Sequence, residues 1–203
     1  MGLLSLIPDP LTLLFFIVAI LLAITVHEFS HAWVANYLGD PTAKKAGRVT
    51  LNPLAHLDPL GTIALILVRF GWGKPVPINP NNFKNPRLGS ALTALAGPTS
   101  NFLLANVVAI IIKVSSLPLG STMGVFLSYV IWFNLVLMVF NLLPIPPLDG
   151  SKFFALIFPV LDNPKFEIYG PFILIAFILM NGVTFILPII QFLLRVMGVS
   201  VAF

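Results

Sequence analysis

The sequence has no cysteine, and only 9% of its 203 residues are charged. The first absence excludes disulfides and thiolate metal sites, so any metal must rest on His, Asp or Glu. The second excludes a disordered chain, a coiled coil and an ordinary water-soluble enzyme, since soluble domains carry about 25% charged residues. Acidic groups are scarcest: seven Asp and Glu stand against eleven Lys and Arg, a formal net charge of +4. The basic residues are dispersed and build no arginine-rich face, so no nucleic-acid partner is expected. What the chain has in quantity is apolar surface. Hydrophobic residues make up 58% of it, more than a soluble core can hide, and the bilayer is the expected solvent for much of it. The length fits a single membrane-embedded domain over residues 1–203. No Lys or Arg precedes the first apolar run and no small-residue cleavage site closes it, so residues 1–30 are expected to stay in the mature protein.

A membrane helix takes about 20 mostly apolar residues. Residues 10–26 are uncharged, and helical spacing continues to Tyr37, where Gly39, Asp40 and Pro41 stop it. Residues 88–112, 121–143 and 168–194 are further uncharged runs. Asn181-Gly182 and Pro188 should bend the last one, which is long enough for one crossing only. Residues 59–72 and 147–161 are apolar but short, as re-entrant, buried or interfacial segments are. Residues 48–51 and 74–78 alternate in polarity and read as short edge strands. The expected fold is an all-α integral membrane protein: a polytopic helical bundle with about four full spans, two short or re-entrant helices and a small β element.

Let the first span descend to the cytoplasm and the short segments re-enter from that side. Lys44, Lys45, Arg48, Lys74, Lys84, Arg87, Lys152 and Lys165 are then cytoplasmic, and only Lys113 and Arg195 lie opposite. That bias has the sign expected of cytoplasmic loops. Asp9 falls in an external leader, and Arg69 is unassigned.

His27-Glu28-Phe29-Ser30-His31 is an H-E-x-x-H run inside the first span. Residues four apart on a helix share a face, so both imidazoles can grip one Zn²⁺. Glu28, about 100° round the helix, reaches the water that such a site activates. The plain alternative is two helix histidines bonded to neighbours, but ionisable groups inside a membrane are costly and tend to be functional. Catalytic zinc needs a third protein ligand. Among the few acids, Asp149 stands out at the end of a long uncharged stretch, in Asn141-Leu-Leu-Pro-Ile-Pro-Pro-Leu-Asp-Gly150. It could also N-cap a helix starting near Gly150.

These motifs resemble those of the site-2 protease family of intramembrane zinc metalloproteases, in its short form without a PDZ or CBS domain. The resemblance rests on His27-Glu-Phe-Ser-His31 with Ala32 and Ala35 following, on Ala96-Gly-Pro-Thr-Ser-Asn101, and on Asn141 through Gly150, in the family's order. It implies a three-helix catalytic core and one catalytic zinc on His27, His31 and Asp149. It also implies Glu28 as the catalytic acid/base, with the site inside the membrane toward the cytoplasm of a prokaryotic-type plasma membrane. The implied partners are the lipid bilayer and a membrane-protein or transmembrane-peptide substrate.

Three further residues are candidates for substrate binding or active-site support. His56, in Asn52-Pro-Leu-Ala-His56-Leu-Asp-Pro59, reads as an oxyanion donor, a resting-state ligand, a partner of a ligand, or simple loop packing. Asn101 and Asn141 lie in apolar helices, either as glue between helices or as hydrogen-bonding groups for a peptide near the zinc. A strand at residues 48–51 would pair with a locally unwound substrate. Two other classes compete with the protease. In a secondary transporter, residues 59–72 and 147–161 would be broken helices. The other is a metal-binding scaffold without turnover. The lack of an internal repeat and the presence of Glu28 beside the histidine pair weigh against the transporter.

Overall fold

The first helix, α1 (Pro10–Tyr37), runs 28 residues without a charge until His27 and Glu28. At 1.5 Å per residue it is about 42 Å long, more than the roughly 30 Å of hydrocarbon in a bilayer. It stops at Gly39, whose φ of +108° suits glycine and ends the helical path. A computed structural model describes residues 10–68, 71–199 and 201. Asp9 and Arg69 lie outside them.

Beyond α1 come a single turn, α2 (Thr42–Lys45), and a ten-residue helix, α3 (Pro59–Val68). The second long helix is α4 (Pro86–Val114), started by Pro86 and by Asn85, whose side chain accepts from Leu88 N–H. Ser121 caps α5 (Thr122–Asn141) in the same way. A proline-rich turn leads to α6 (Asp149–Phe154), and Asn163 caps α7 (Pro164–Leu179), which precedes α8 (Val183–Met197). Among the described residues three helices, α1, α4 and α5, are long and apolar enough to cross a membrane, and a fourth span results if α7 and α8 are taken as one broken crossing.

The bundle closes through small residues. Ala19, Ala23, Ala32 and Ala35 of α1 are fully buried, as is Ala105 of α4. Such positions let helix backbones approach in lipid, where no hydrophobic drive separates helix from solvent. Ile131 and Leu135 of α5 meet Ala105 and Ala109 of α4 and Ile186 and Ile190 of α8 in the main apolar cluster. The short α6 packs on α4. Gly170 of α7 lies so close to the Pro146 carbonyl that a Cβ would overlap it.

Two expectations are corrected, and the bend expected in 168–194 is found at one of its two places. Residues 48–51 and 74–78 are not strands: among the described residues the only β feature is an isolated antiparallel bridge between Leu57 and Gly73. Pro75 and Pro77 lack the N–H a ladder needs, and the Arg48 side chain turns inward. The run 168–194 is two helices bent by 78°. The break falls at Asn181, with φ +60°, and Gly182, while Pro188 stays inside α8. Asp149 is not an N-cap: it is the first residue of α6, and Leu148 holds the cap position.

Several charged residues gather at one end of the bundle. Arg87 pairs with Asp162 at 2.9 Å and Lys152 pairs with Glu167, at the end of the bundle where α4 begins. Lys113 instead lies beside Gly198, where α4 and α8 end. Arg48 differs from the others in being 5% exposed.

Candidate metal centre

The i, i+4 spacing on α1 puts the rings of His27 and His31 4.5 Å apart, both buried. Their Nε2 atoms face a carboxylate oxygen of Asp149, at 3.1 and 3.3 Å. One ligand atom from each of these three residues lies within 4.8 Å of the other two. Ligand atoms about 2 Å from a tetrahedral Zn²⁺ stand about 3.3 Å from one another.

The protons on the imidazoles follow from the surrounding bonds. Asn101 Nδ2 donates to the Ala23 carbonyl at 3.0 Å and to Asn134 Oδ1 at 2.7 Å. Asn134 Nδ2 donates in turn to the Val130 carbonyl. The remaining Asn101 oxygen is therefore an acceptor, and His27 Nδ1–H donates to it at 2.6 Å. His31 Nδ1–H donates to the Thr93 carbonyl at 2.7 Å. In the neutral rings both Nε2 atoms then carry lone pairs, the form that binds metal. They point at Asp149 Oδ2, a buried oxygen with no hydrogen-bond partner. In that form three acceptors converge on one point, and a single metal cation satisfies all three.

The backbone of α4 forms the floor of this cradle. A Cβ on Gly97 would come within 2.6 Å of His31 Cε1 and 2.7 Å of His27 Cε1, and closer still to His31 Nε2. One residue round α1 from His27, Glu28 lies near Gly73 and Arg48, with Oε2 3.9 Å from Arg48 Nη2.

The other candidates fall in different places. Asn101 supports His27, and its amide is fully used there. Asn141 donates to the Leu137 carbonyl of its own helix and makes no described bond to the ligand group. His56 is fully buried in the loop, with Nε2–H donating to the Thr50 carbonyl at 2.8 Å and Nδ1 facing Arg48. Asn134 and Arg48 were not visible as site residues in the sequence. A lone amide in an uncharged span is a signal for the first, and Arg48 carries none.

Two histidines on a membrane-length helix, met by a carboxylate on the short α6, define a multi-pass membrane metalloprotein. The relatives say which kind. Residues 118–181 match the family model of peptidase family M50. The Bacillus subtilis (strain 168) protein named "Putative zinc metalloprotease YwhC" is 45% identical over 151 residues, covering 70% of this chain and 69% of that protein. "Putative zinc metalloprotease Rip2" of Mycobacterium tuberculosis is 31% identical over 134 residues, 64% of this chain and 52% of Rip2. Its namesake in Mycolicibacterium smegmatis is 32% identical over 135 residues, with the same coverage. This chain thus spans about half the length of Rip2. No solved structure matches it. The chain belongs to peptidase family M50, the site-2 proteases, and is a zinc metalloprotease.

Proposed function

We propose that this protein is an intramembrane endopeptidase that hydrolyses peptide bonds in or beside the transmembrane segments of other membrane proteins. His27, His31 and Asp149 hold one zinc ion, and Glu28 is the acid/base. The observation that carries the reading is the convergence of two Nε2 lone pairs and an unbonded carboxylate oxygen. Bound there, zinc supplies Lewis acidity for the scissile carbonyl and makes water a usable nucleophile near neutral pH.

The chain's own residues do the rest. Asn101 and the Thr93 carbonyl keep both imidazoles in the ligating tautomer. Glu28 takes a proton from the attacking water as the new C–O bond forms. It returns that proton to the amine nitrogen as the C–N bond breaks, so proton and electron pairs balance without a co-reactant. A helical substrate hides its carbonyls and must unwind locally before reacting, because free backbone groups in lipid are costly. All of residues 1–203 serve as one catalytic domain in a prokaryotic-type plasma membrane. The gathering of basic residues at the end where α4 begins supports a site that opens toward the cytoplasm.

The test is purified, zinc-loaded protein with a labelled transmembrane peptide in lipid, set beside Glu28→Gln and Asp149→Ala. Cutting should vanish in both, with zinc kept by Glu28→Gln and lost by Asp149→Ala. Undiminished cutting by Glu28→Gln would refute the assignment of Glu28. Zinc retained at full occupancy by Asp149→Ala would refute the ligand set.

A further inference from the structure

Arg48 is a charged residue that the chemistry above does not use, and its side chain is only 6% exposed. It leaves the loop after α2 and reaches back to α1. Its Nη1 donates to the Pro75 carbonyl at 2.8 Å, and its Nη2 donates to the Lys74 carbonyl. The same Nη2 stands 3.4 Å from His56 Nδ1 and 3.9 Å from Glu28 Oε2. His56 spends its one N–H on the Thr50 carbonyl, so its Nδ1 lone pair is turned to the guanidinium. The segment that Arg48 grips is held a second time, by Lys74 N–H donating to the His56 carbonyl at 2.8 Å. Gly73, one residue earlier, faces Glu28: a Cβ there would lie 3.5 Å from Oε1.

A buried guanidinium is retained only where carbonyls and a countercharge surround it. Here the carbonyls belong to one loop and the countercharge is Glu28. At 3.9 Å the attraction is Coulombic and not a hydrogen bond. Both carboxylate oxygens therefore remain open to accept a proton while the group is held to one side. Arg48 thus fastens the 73–75 segment as a wall beside Glu28 and biases the carboxylate toward that wall.

We propose that Arg48 is a positioning residue for Glu28, and that His56 acts through Arg48 by fixing the guanidinium. The proposal rests on the reading of Glu28 as the acid/base. It assigns no metal contact to either residue.

The experiment compares the full-length, zinc-loaded parent with Arg48→Gln, Arg48→Lys and Glu28→Gln, measuring kcat, KM and zinc per chain. A carboxylate displaced by about 1 Å costs about a hundredfold in rate. Arg48→Gln should lose kcat on that scale with KM and zinc content unchanged, and Arg48→Lys should fall between it and the parent. Unchanged kcat in Arg48→Gln, or a loss explained wholly by KM or missing zinc, overturns the proposal. Should Arg48→Gln fail to fold, Arg48→Lys decides alone, and a parental kcat overturns it. Full activity of Glu28→Gln would instead overturn the underlying reading, a separate outcome. A second readout needs no turnover. The chain has two glutamates, so ¹³C-labelled glutamate gives two carboxyl signals, and Glu28→Gln identifies one. In zinc-free Arg48→Lys that signal should shift or broaden, and an unaltered signal counts against the proposal.

Discussion

Gly97 of α4 touches His31 of α1 where no side chain fits. A Cβ there would stand 2.6 Å from His31 Cε1, and real Cβ contacts do not fall below 3.0 Å. The ring would have to leave its place, and with it the 2.7 Å bond from Nδ1 to the Thr93 carbonyl. Gly97→Ala should therefore fold and insert, since the helix gains propensity, yet lose activity about a hundredfold through displaced ligands. Zinc content and turnover measured on the same preparation check this. Parental values of both would show that the cradle has slack.

Asn134 makes no described hydrogen bond to the ligand group, but it orients Asn101, which orients His27. Outer partners of this kind are typically worth about 10–100-fold in metal affinity. Asn134→Leu should weaken zinc by about that factor, read by competition with a calibrated chelator. Asn101→Leu should weaken it at least as much. The double variant should add little, because both act on one hydrogen-bonded chain.

These partners mark where the sequence stops being readable. His27, Glu28 and His31 declare themselves through local spacing on one helix, and Asp149 through the scarcity of acids in a long apolar stretch. Gly97-Pro98 is legible as a place of close helix approach, but what it approaches depends on how α4 docks on α1. Asn134 resembles any amide that ties helices together, and its place in the chain from Val130 to His27 exists only after α1, α4 and α5 have packed. Arg48 is the clearest misreading. Its alternating neighbours look like a strand, whereas carbonyls 26 and 27 residues away fold its side chain inward. The turn residues Asn181-Gly182 announce a bend in the last apolar run, but tertiary packing sets its 78°.

Asp40 should make stability fall with acid. It is fully buried just past α1 and accepts from Thr42 N–H and Oγ1, Asn79 N–H and Asn82 Nδ2, so it clamps the 79–82 turn to the end of the helix. Burial pushes its pKa up, but the hydrogen bonds from Thr42, Asn82 and Asn79 outweigh this and hold it below the ordinary 3.8. The folded state then binds the proton less readily than the unfolded one. Its stabilisation is complete well above pH 4 and is lost as pH falls through the lowered folded value. Asp40→Asn turns an amide donor toward donors and should cost about 1–3 kcal/mol at pH 7. The gap in melting temperature between parent and variant should narrow as pH drops below about 4. A gap constant down to pH 3 would contradict the clamp.

The ligand group makes an opposite demand on stability. With zinc removed and both rings neutral, two Nε2 lone pairs and Asp149 Oδ2 face one another at 3.1 and 3.3 Å. Unsatisfied buried acceptors each cost about 1–3 kcal/mol. Asp149→Asn keeps the shape of the side chain and, with its amide nitrogen turned inward, supplies N–H donors to both imidazoles. In excess chelator, at a pH high enough to leave both rings neutral, this variant should melt at a higher temperature than the parent, by the equivalent of about 1–3 kcal/mol. In excess zinc the order should reverse, because only the parent gains stability by binding the ion. Melting curves of both proteins in both conditions form the test. If the parent were the more stable of the two without metal, the histidines and Asp149 would already be sharing protons, and the group would be a hydrogen-bonded cluster that does not require a cation.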